Sequence, residues 1–467
     1  MSQLAFCESI IVDPAYGRLK EHLIESTGLA YYSDKDSDLA TRIGRRLPKV
    51  GLSDCDSYLR LLTDRDKGET ELDELIAELT IGETYFFRYR EQFEALRDTV
   101  FPSLIARNQD TRRLRVWSAG CATGAEAYSI AILLKRELSE RLAGWDVNII
   151  GTDINRGFLS RAREGRFDDW AFRSTPDEVK RACFQHAGGL WIIRPEYREW
   201  VGFQYHNLVK HAFPSLVNNL CSFDLILCRN AMIYFSLDIM SRLLAQFHHC
   251  LVDGGWLIVG HAEPNPLLFS SFETVNVPGA TLYRKSPESE APVAACEVER
   301  RAAWLENPPA IPNVTFAPLP AAPAQVAPVG DVVSPVPPQL SEVRLLADQG
   351  QWENAASRSE KLLETEGLNP KAHFYYSLVL EQMGRHSEAE QSLRRALYLD
   401  RSFALVHYYL GLVLQKRGDR RGAVRSFENV RTCLRALDPR LTFADADEIT
   451  AGDLMTLTET HLEVLRR

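Results

Sequence analysis

A glycine-containing loop followed by an acidic strand end marks the part of this sequence best suited to bind a small ligand. Residues 118–129 read Ser-Ala-Gly-Cys-Ala-Thr-Gly-Ala-Glu-Ala-Tyr-Ser, between a short apolar run and a helical pattern of apolar residues. Because Gly120 and Gly124 lack a Cβ atom, a ligand can approach the backbone there. A second apolar run at 147–152 ends in Asp153. Together these features predict half of a nucleotide-binding βαβ fold, with the carboxylate placed to bind ribose hydroxyls.

The spacing within this loop narrows the kind of ligand. The loop lacks the G-x-G-x-x-G spacing of dinucleotide-binding proteins, and no Lys-Ser or Lys-Thr pair follows it as in a phosphate-binding P-loop. An adenosine-containing ligand without a pyrophosphate suits such a loop, and S-adenosylmethionine is the obvious candidate. The alternative is a glycine turn of any α/β protein, but the acidic residue at the end of the next strand favours the ligand.

Two further segments carry polar residues next to apolar ones. Residues 80–88 read Thr-Ile-Gly-Glu-Thr-Tyr-Phe-Phe-Arg. The guanidinium of Arg88 can hold a carboxylate through a bidentate hydrogen bond, although the segment taken alone is more typical of a core edge with a surface arginine. A third apolar run, predicted to be a buried strand, is followed by Arg229 and Asn230, with Tyr234 a few residues further on. Such residues lie where open α/β sheets bind ligands; the alternative is that the pair caps the next helix.

The composition is that of an ordinary globular protein. The chain has 467 residues, a net charge of −9, and 45% hydrophobic and 25% charged residues, which suits roughly two to four domains. The negative charge argues against a general binder of nucleic acid or membrane surfaces. No apolar run approaches the length of a membrane span, and the amino terminus lacks a signal-peptide pattern. The nine cysteines are scattered without a C-x-x-C pair, which predicts reduced thiols in the cytoplasm and no metal site.

A basic stripe stands out in the helical pattern of residues 1–80. After a cap signal at 36–38, leucine and isoleucine recur every four residues, and cations occupy another face of the same helix. An isolated stripe of this kind is usually a solvated helix face; the alternative is docking of an acidic helical partner. The cations are Arg42, Arg45, Arg46 and Lys49.

Beyond the α/β region the sequence changes character twice. Residues 287–339 hold 12 of the chain's 23 prolines, interleaved with alanine and valine, and predict an extended linker. Gly350, Gly384 and Gly418 then recur 34 residues apart, and alanines and leucines keep the same interval. This period predicts three tetratricopeptide repeats, capped by a final helix near 451–466. Such repeats form a concave surface suited to a peptide or helix of a protein partner, which the sequence does not identify.

Three segments of the sequence resemble the CheR-type chemoreceptor glutamate methyltransferases. The first is Glu-Thr-Tyr-Phe-Phe-Arg at 83–88, the second is Ser-Ala-Gly-Cys-Ala-Thr-Gly at 118–124, and the third is Cys-Arg-Asn-Ala-Met-Ile-Tyr-Phe at 228–235. Together they are far more specific than the glycine loop alone, and the resemblance covers roughly residues 1–286. The added repeats resemble the subgroup with a carboxyl-terminal tetratricopeptide domain, which includes the Wsp-type surface-sensing systems.

The resemblance implies a donor, an acceptor and residues for both. S-adenosylmethionine would donate a methyl group to glutamate side chains on the cytoplasmic signalling helices of chemoreceptors. By motif, Asp153 belongs at the ribose, Asn207 and Leu208 belong near the adenine, and Arg88 or Tyr234 orients the acceptor carboxylate. The implied donor contacts are Thr84, Arg88, Glu126, Asp153, Asn207, Leu208, Arg229 and Asn230. The implied receptor-docking residues are Arg42, Arg45 and Arg46.

The sequence also departs from the family pattern. Gly82 stands where the family often has Asn, so one donor contact lacks its usual side chain. Ala125 and Ala127 replace the usual Glu and Pro of the loop, whereas Glu126 is retained. A small antiparallel excursion that turns at 188–189 looks short for members that bind the carboxyl-terminal peptide of a receptor.

These observations predict an α/β fold. It comprises an N-terminal helical subdomain, a Rossmann-like class I methyltransferase domain with a small antiparallel β excursion, and C-terminal all-α tetratricopeptide repeats. The predicted boundaries are 1–80, 81–286, a linker at 287–340, repeats at 341–438 and a capping helix at 439–467. The predicted function is receptor glutamate methylation that tunes sensory adaptation, with catalysis in the first two parts and a targeting or regulatory role for the repeats. The alternatives are a methyltransferase acting on another substrate and a non-catalytic S-adenosylmethionine-binding sensor or scaffold.

Overall fold

The computed structural model describes residues 8–265, 268–286, 338–443 and 449–466. The predicted linker falls almost wholly on residues 287–337, which lie outside the described ones. Within the described ranges the chain forms N-terminal helices, an α/β domain built on a seven-stranded sheet, and a C-terminal array of helices. The predicted fold class is thereby confirmed.

Four helices make up most of the N-terminal subdomain. They are α1 Tyr16–Thr27, α2 Asp36–Arg46, α3 Cys55–Leu62 and α4 Gly68–Leu79. The helices bury a common apolar core, in which the regularly spaced Leu39, Ile43 and Leu47 are almost fully buried. Because four residues are close to one helical turn, these side chains share one face of the helix and its extension.

The basic stripe of α2 lies against α4. Arg42 donates to the backbone carbonyl of Glu78, and the Glu78 carboxylate lies 3.4 Å from Arg45 and 3.2 Å from Lys49. The side chains of Arg45 and Lys49 remain about half exposed, at 51% and 56%. Part of the stripe is therefore neutralised within the subdomain.

Arg46 lies inside the subdomain. Its guanidinium donates to both carboxylate oxygens of Glu71, at 3.0 and 2.7 Å, and to Glu74 at 3.0 Å. The Tyr58 hydroxyl donates to Glu71 as well, at 2.6 Å. The expected position of Arg46 on an exposed docking face is therefore wrong. Because the carboxylates that pair with it come from α4, the periodicity of α2 alone gave no sign of its burial.

A mostly parallel sheet carries the α/β domain. Its strands and those of a smaller sheet are, in chain order, β1 Arg113–Ala119, β2 Asp146–Asp153, β3 Arg166–Phe167, β4 Phe184–Ala187, β5 Leu190–Ile193, β6 Val201–Tyr205, β7 Phe223–Cys228, β8 Leu251–Val259, β9 Glu273–Val277 and β10 Ala280–Arg284. The order in the main sheet is β6-β2-β1-β7-β8-β10-β9, and β10 runs antiparallel to both its neighbours. The strand order reverses between β1 and β7, the point where open α/β sheets bind ligands.

Helices cover both faces of this sheet, as parallel strands require. Val116 and Trp117, neighbours on β1, belong to separate apolar clusters because successive strand residues point to opposite faces. The helices of this domain are α5 Arg90–Ala95, α6 Phe101–Arg107, α7 Ala125–Glu137, α8 Arg156–Glu164, α9 Asp177–Cys183 and α10 Leu237–Cys250.

The small antiparallel excursion is confirmed. Strands β3, β5 and β4 form a separate sheet in that order, and β4 pairs with β5 across a two-residue turn. The turn residues Gly188 and Gly189 have φ angles of 60° and 76°. Left-handed backbone at both positions of a tight hairpin favours glycine, which is the signal the sequence carried.

The C-terminal helices form three consecutive pairs and a final helix. The first helices of the pairs are α11 Pro338–Asp348, α13 Pro370–Gln382 and α15 Ala404–Lys416; the second helices are α12 Trp352–Thr365, α14 His386–Leu399 and α16 Arg420–Leu434. The final helix, α17 Ala451–Arg466, packs against α16. The in-phase residues Ala355, Ala389 and Ala423 are all buried, as expected for stacked helix pairs. None of the helices in the described ranges has the length and hydrophobicity of a membrane-spanning segment.

Substituting Arg46 tests its assignment as a buried structural charge. In Arg46→Ala the Glu71 carboxylate stays buried without its partner, so we expect the free energy of unfolding to fall by about 3–5 kcal/mol. Denaturant unfolding followed by circular dichroism measures the change. The control Arg45→Ala, on the same helix but half exposed, should change stability by less than about 0.5 kcal/mol. Equal effects of the two substitutions would contradict the assignment.

Candidate functional site

A cavity of about 340 Å³ lies at the carboxyl ends of the parallel strands, next to the N-terminal helices. Its size is typical of ligand pockets. All nine residues predicted to bind the donor or orient the acceptor line it: Thr84, Arg88, Glu126, Asp153, Asn207, Leu208, Arg229, Asn230 and Tyr234. The fold thus brings these side chains together, and the contact that each makes with a ligand remains a prediction. Arg42, Arg45 and Arg46 are not among the residues that line the cavity.

The loop from β1 to α7 forms one wall of this cavity. The backbone N–H groups of Gly120 and Cys121 donate to the Thr152 carbonyl, at 2.8 and 2.9 Å, and so hold the loop against β2. Gly124 has a φ of 84°, and a Cβ atom there would lie 2.7 Å from the ring of Phe203. Both the left-handed backbone and the close packing require glycine, which explains the second glycine of the motif.

Asp153 ends β2 beside this loop. Its Oδ2 accepts the backbone N–H of Ala122 and its Oδ1 accepts that of Asn155, both at 2.8 Å. Burial raises the pKa of this carboxyl to about 6, although the backbone donors oppose the shift. A carboxylate has about four acceptor positions, so Asp153 can also accept hydrogen bonds from ligand hydroxyls.

A buried ion pair joins several segments of the cavity wall. Arg229, just after β7, donates to Glu126 at 2.9 Å, and the Ser118 hydroxyl donates to the other carboxylate oxygen at 2.7 Å. Arg229 also donates to the backbone carbonyl of Arg88. The side chains of Arg229 and Glu126 are only 2% and 13% exposed. The pair therefore fixes the end of β1, the start of α7 and the Arg88 segment relative to one another.

Four residues around the cavity adopt the left-handed backbone region that favours glycine. Phe87 and Tyr89, which flank Arg88, have φ angles of 55° and 62°, and Ala122 and Asn230 have angles of 47° and 59°. Such conformations cost about 1–3 kcal/mol each and persist only where the surroundings determine them. Their clustering around one cavity is typical of a functional site.

Glu263, a buried carboxylate next to the segment that follows β7, was not predicted from the sequence. It accepts the backbone N–H groups of Gly260 at 2.5 Å, Asn230 at 3.1 Å and Ile233 at 3.2 Å. Burial raises the pKa of its carboxyl. Glu263 holds the turn that presents Asn230 and Tyr234 to the cavity. Its only signal in the sequence is an acidic residue shortly after a strand, which is too common to single it out.

Asn207 is held in place by protein groups. Its side-chain amide donates to the Ser26 carbonyl at 2.9 Å, and its Oδ1 accepts the backbone N–H groups of Val209 and Lys210, at 3.0 and 3.2 Å. These bonds join the segment after β6 to helix α1. The side-chain amide has a second N–H, and this donor could serve the contact predicted near the adenine.

A series of aromatic and cationic side chains leads outward from Arg88. The Arg88 guanidinium lies 5.6 Å from the centre of the Tyr85 ring, and Arg173 lies 3.8 Å from the same centre and 4.6 Å from that of Trp170. Arg173 also forms an ion pair with Glu83. Arg173 and the exposed Trp170 come from the segment between β3 and α9, so no local motif connected them with the site.

Tyr234 faces the cavity beside the N-terminal subdomain. Its ring packs edge-on against Tyr31, with 5.7 Å between the ring centres, and both residues line the cavity. Burial raises the pKa of the Tyr234 hydroxyl. The hydroxyl therefore stays protonated at neutral pH and can donate a hydrogen bond.

Phe158 explains the glycine at position 82. A Cβ atom on Gly82 would lie 2.5 Å from the Phe158 ring, so no side chain fits there unless the ring moves. Phe158 stands on α8 and lines the cavity. An apolar ring thus occupies the space beside Gly82, where the family often has a polar side chain.

Several buried polar atoms of cavity-lining residues lack a hydrogen-bond partner within the described part of the chain. Buried polar groups in folded proteins are normally paired, so these atoms point to a polar ligand. S-adenosylmethionine carries donors and acceptors on its ribose, adenine and amino-acid groups, and the residues present fit it. The atoms are Nε of Arg88, Nε of Arg229, Oδ1 of Asn230 and Nε2 of His206.

Comparisons with known proteins identify the first two parts of the chain. Residues 14–80 match the all-alpha domain of CheR methyltransferases, and residues 82–279 match the SAM binding domain of the same family. The chain is 29% identical over 420 residues to the "Probable biofilm formation methyltransferase WspC" of Pseudomonas aeruginosa, a match that covers 87% of this chain and 96% of that protein. It is 31% identical over 280 residues to "Chemotaxis protein methyltransferase 2" of Vibrio cholerae, covering 60% of this chain and 95% of that protein.

The raised pKa of Asp153 predicts a pH dependence of donor binding. Ribose hydroxyls donate to the ionised carboxylate, so affinity for S-adenosylmethionine should fall as the pH falls through about 6. Asp153→Asn should abolish this dependence and weaken binding at neutral pH by about 1.5–3 kcal/mol, or roughly 10- to 100-fold. Calorimetric titration across the pH range measures both effects. Wild-type affinity and an unchanged pH profile in a folded variant would remove Asp153 from the donor site.

Proposed function

The chain belongs to the CheR methyltransferase family, and we propose that it transfers the methyl group of S-adenosylmethionine to glutamate side chains on the cytoplasmic helices of chemoreceptors. It is an S-adenosylmethionine-dependent methyltransferase by family; the glutamate acceptor is the proposal. The observation that best supports it is a single cavity that combines Asp153 and Glu126 on the donor side with a cation, Arg88, and a phenol, Tyr234.

A glutamate side chain needs no general base to accept a methyl group. Its reference pKa is about 4.3, so it is ionised at neutral pH. Bound S-adenosylmethionine supplies a methyl group attached to a positively charged sulfur. The contribution of the protein is to align the acceptor carboxylate with that methyl group and to exclude water from the site.

Arg88 and Tyr234 suit different parts of this task. Arg88 donates to the Glu83 carbonyl at 2.8 Å and keeps Nε without a partner in the described structure. Because a tight ion pair would lower the nucleophilicity of the acceptor oxygen, we assign to Arg88 the attraction of anionic groups into the site. The protonated hydroxyl of Tyr234 is the weaker partner, and we assign it the hydrogen bond that orients the acceptor.

Tyr234→Phe tests the assignment of this hydroxyl. Losing one orienting hydrogen bond of about 1–1.5 kcal/mol should lower kcat roughly tenfold, while the affinity for the donor stays unchanged. Transfer of a labelled methyl group to a receptor cytoplasmic fragment gives kcat, and calorimetry gives the donor affinity. Tyr31→Phe, which alters the neighbouring ring in the same cavity, is the matched control and should retain wild-type kcat.

The same assay tests the proposed acceptor. A glutamate methyl ester releases its label as methanol in mild base, whereas a methylated amine does not. Base-stable label, or tight donor binding without transfer to the receptor fragment, would refute the proposal even though the chain remains a donor-binding methyltransferase by family.

The cations in and just after α2 suit a docking surface for the receptor: the side chains of Arg45 and Lys49 are about half exposed, and that of Arg42 is 20% exposed. We propose that Arg42, Arg45 and Lys49 contact acidic residues of a receptor helix. These residues would replace the present partners of the cations, which are Asp38 and the Glu78 carbonyl for Arg42 and the Glu78 carboxylate for Arg45 and Lys49. The long-range attraction between such surfaces speeds encounter and selects the partner. Arg46, buried with Glu71, takes no part in this docking.

Reversing two of these charges tests the docking surface. Arg45→Glu combined with Lys49→Glu should raise the KM for the receptor fragment several-fold, leave the donor affinity unchanged, and reduce the sensitivity of KM to salt. Arg60→Glu, an exposed substitution on α3, is the control and should have no effect on KM. An unchanged KM in the double variant would mean that the stripe serves only the contact between α2 and α4.

A further inference from the structure

The first helices of the three repeat pairs contact the methyltransferase domain at equivalent repeat positions. In each first helix a residue at the same repeat position bonds to that domain, and these residues lie 34 positions apart: Asp348, Gln382 and Lys416. The Leu216 N–H donates to Asp348 at 3.0 Å. Arg113 donates to the backbone carbonyl of Gln382 at 3.0 Å and to its side-chain Oε1 at 3.1 Å, and Lys416 lies 3.0 Å from Asp146. Each repeat therefore makes its own contact with the methyltransferase domain.

The 214–222 loop, which leads into β7, provides an apolar anchor for this contact. Leu216 and Val217 are buried in the same apolar cluster as the core of the repeats. The hydroxyl of Tyr409, on the first helix α15, donates to the Val217 carbonyl. The loop is fixed to its own domain by Arg115, which donates to the Asn219 carbonyl at 2.8 Å. The face formed by the first helices is thus occupied by a segment of the same chain.

The final helix extends this contact toward the cavity at the carboxyl ends of the parallel strands, called the donor cavity below. Asp453, in the first turn of α17, forms an ion pair with Arg156, the first residue of α8. The same guanidinium lies 2.9 Å from Asp73 of the N-terminal subdomain and 3.8 Å from the centre of the Tyr205 ring. Arg156 follows Asp153 by three residues, so one short segment contacts both α17 and the donor cavity.

His206 forms a second connection between α17 and the donor cavity. It lines the donor cavity and also a smaller one whose other residues include Ile449, Asp453 and Leu457. Burial lowers the pKa of the imidazole to about 3, so the ring is neutral. The ring forms a wall between the two cavities. Displacement of α17 would remove the support behind this wall.

We propose that the ligand of the face formed by the first helices is the methyltransferase domain of the same chain, and that docking of the repeats and binding of the donor stabilise each other. Both act on His206 and on the segment from Asp153 to Phe158. By linkage, each must then strengthen the other by the same factor. A protein that binds this face of the repeats has to displace the 214–222 loop, and it will weaken donor binding. This proposal gives a physical basis to the regulatory role that the sequence predicts as one of two for the repeats.

A triple substitution in the full chain tests the docking. We expect alanine at Asp348, Gln382 and Lys416 to increase the radius of gyration in small-angle scattering and to speed amide exchange in the 214–222 loop. The dissociation constant for S-adenosylmethionine should rise roughly fivefold or more. In the wild-type protein, saturating donor should slow exchange in the same loop. The matched control is alanine at Ser357, Gln391 and Arg425, which are exposed and equally spaced on the second helices.

Two results would overturn the proposal. Unchanged scattering and loop exchange in the triple variant would mean that these contacts do not hold the repeats in solution. Undocking with wild-type donor affinity would disprove the linkage. If the triple variant loses helical content, Asp453→Asn replaces it, because asparagine keeps an oxygen for the Thr450 hydroxyl and loses both the charge and the acceptor opposite Arg156. It should weaken donor binding without loss of helix, and wild-type affinity would again disprove the linkage.

Discussion

A charge pair taken almost wholly out of water sets the shape of the donor cavity. Removing two charges from water costs several kcal/mol each and is offset only by good geometry and further hydrogen bonds. Glu126 and Arg229 meet this condition because Ser118 donates to the first and the Arg88 carbonyl accepts from the second. These partners come from separate segments. Loss of either charge would leave the other buried without a partner, and the segments of the cavity wall would no longer be held together. The left-handed residues beside Arg88 persist because this network determines them.

The residues that line the cavity were predictable because parallel strands present their carboxyl ends at one edge of a sheet. Asp153 ends one buried strand and Arg229 follows another, and these positions bring them together at the cavity. Glu263 and Arg173 escaped prediction because their partners are backbone groups or rings from distant segments, which leave no local pattern. The prediction for Arg46 was wrong for a related reason. Periodicity gives the direction of a side chain on its own helix, but it does not show that carboxylates of another helix lie opposite.

The repeats also make contacts that no sequence pattern predicts. Their 34-residue period is carried by exposed glycines with φ angles of 73–77° between the helices of each pair and by buried alanines, which recur because the turn and the packing are alike in every unit. The residues that face the methyltransferase domain differ from unit to unit: Asp348 meets an N–H, Gln382 a guanidinium and Lys416 a carboxylate. The residues that make these contacts differ between the repeats. A common period reveals only what the repeats share, so it does not predict the contacts.

The energies of these contacts indicate how the repeats are held. Partly exposed ion pairs such as Arg156 with Asp453, or Lys416 with Asp146, contribute about 0–1 kcal/mol each. Burying an aliphatic side chain contributes about 1.5–3 kcal/mol, and the docked loop buries both Leu216 and Val217. The buried loop and the polar bonds together supply the docking free energy, and the polar bonds also fix the register between the repeats and the sheet. If the repeats dock as proposed, a protein partner with an apolar peptide of its own would compete with the 214–222 loop for the same face.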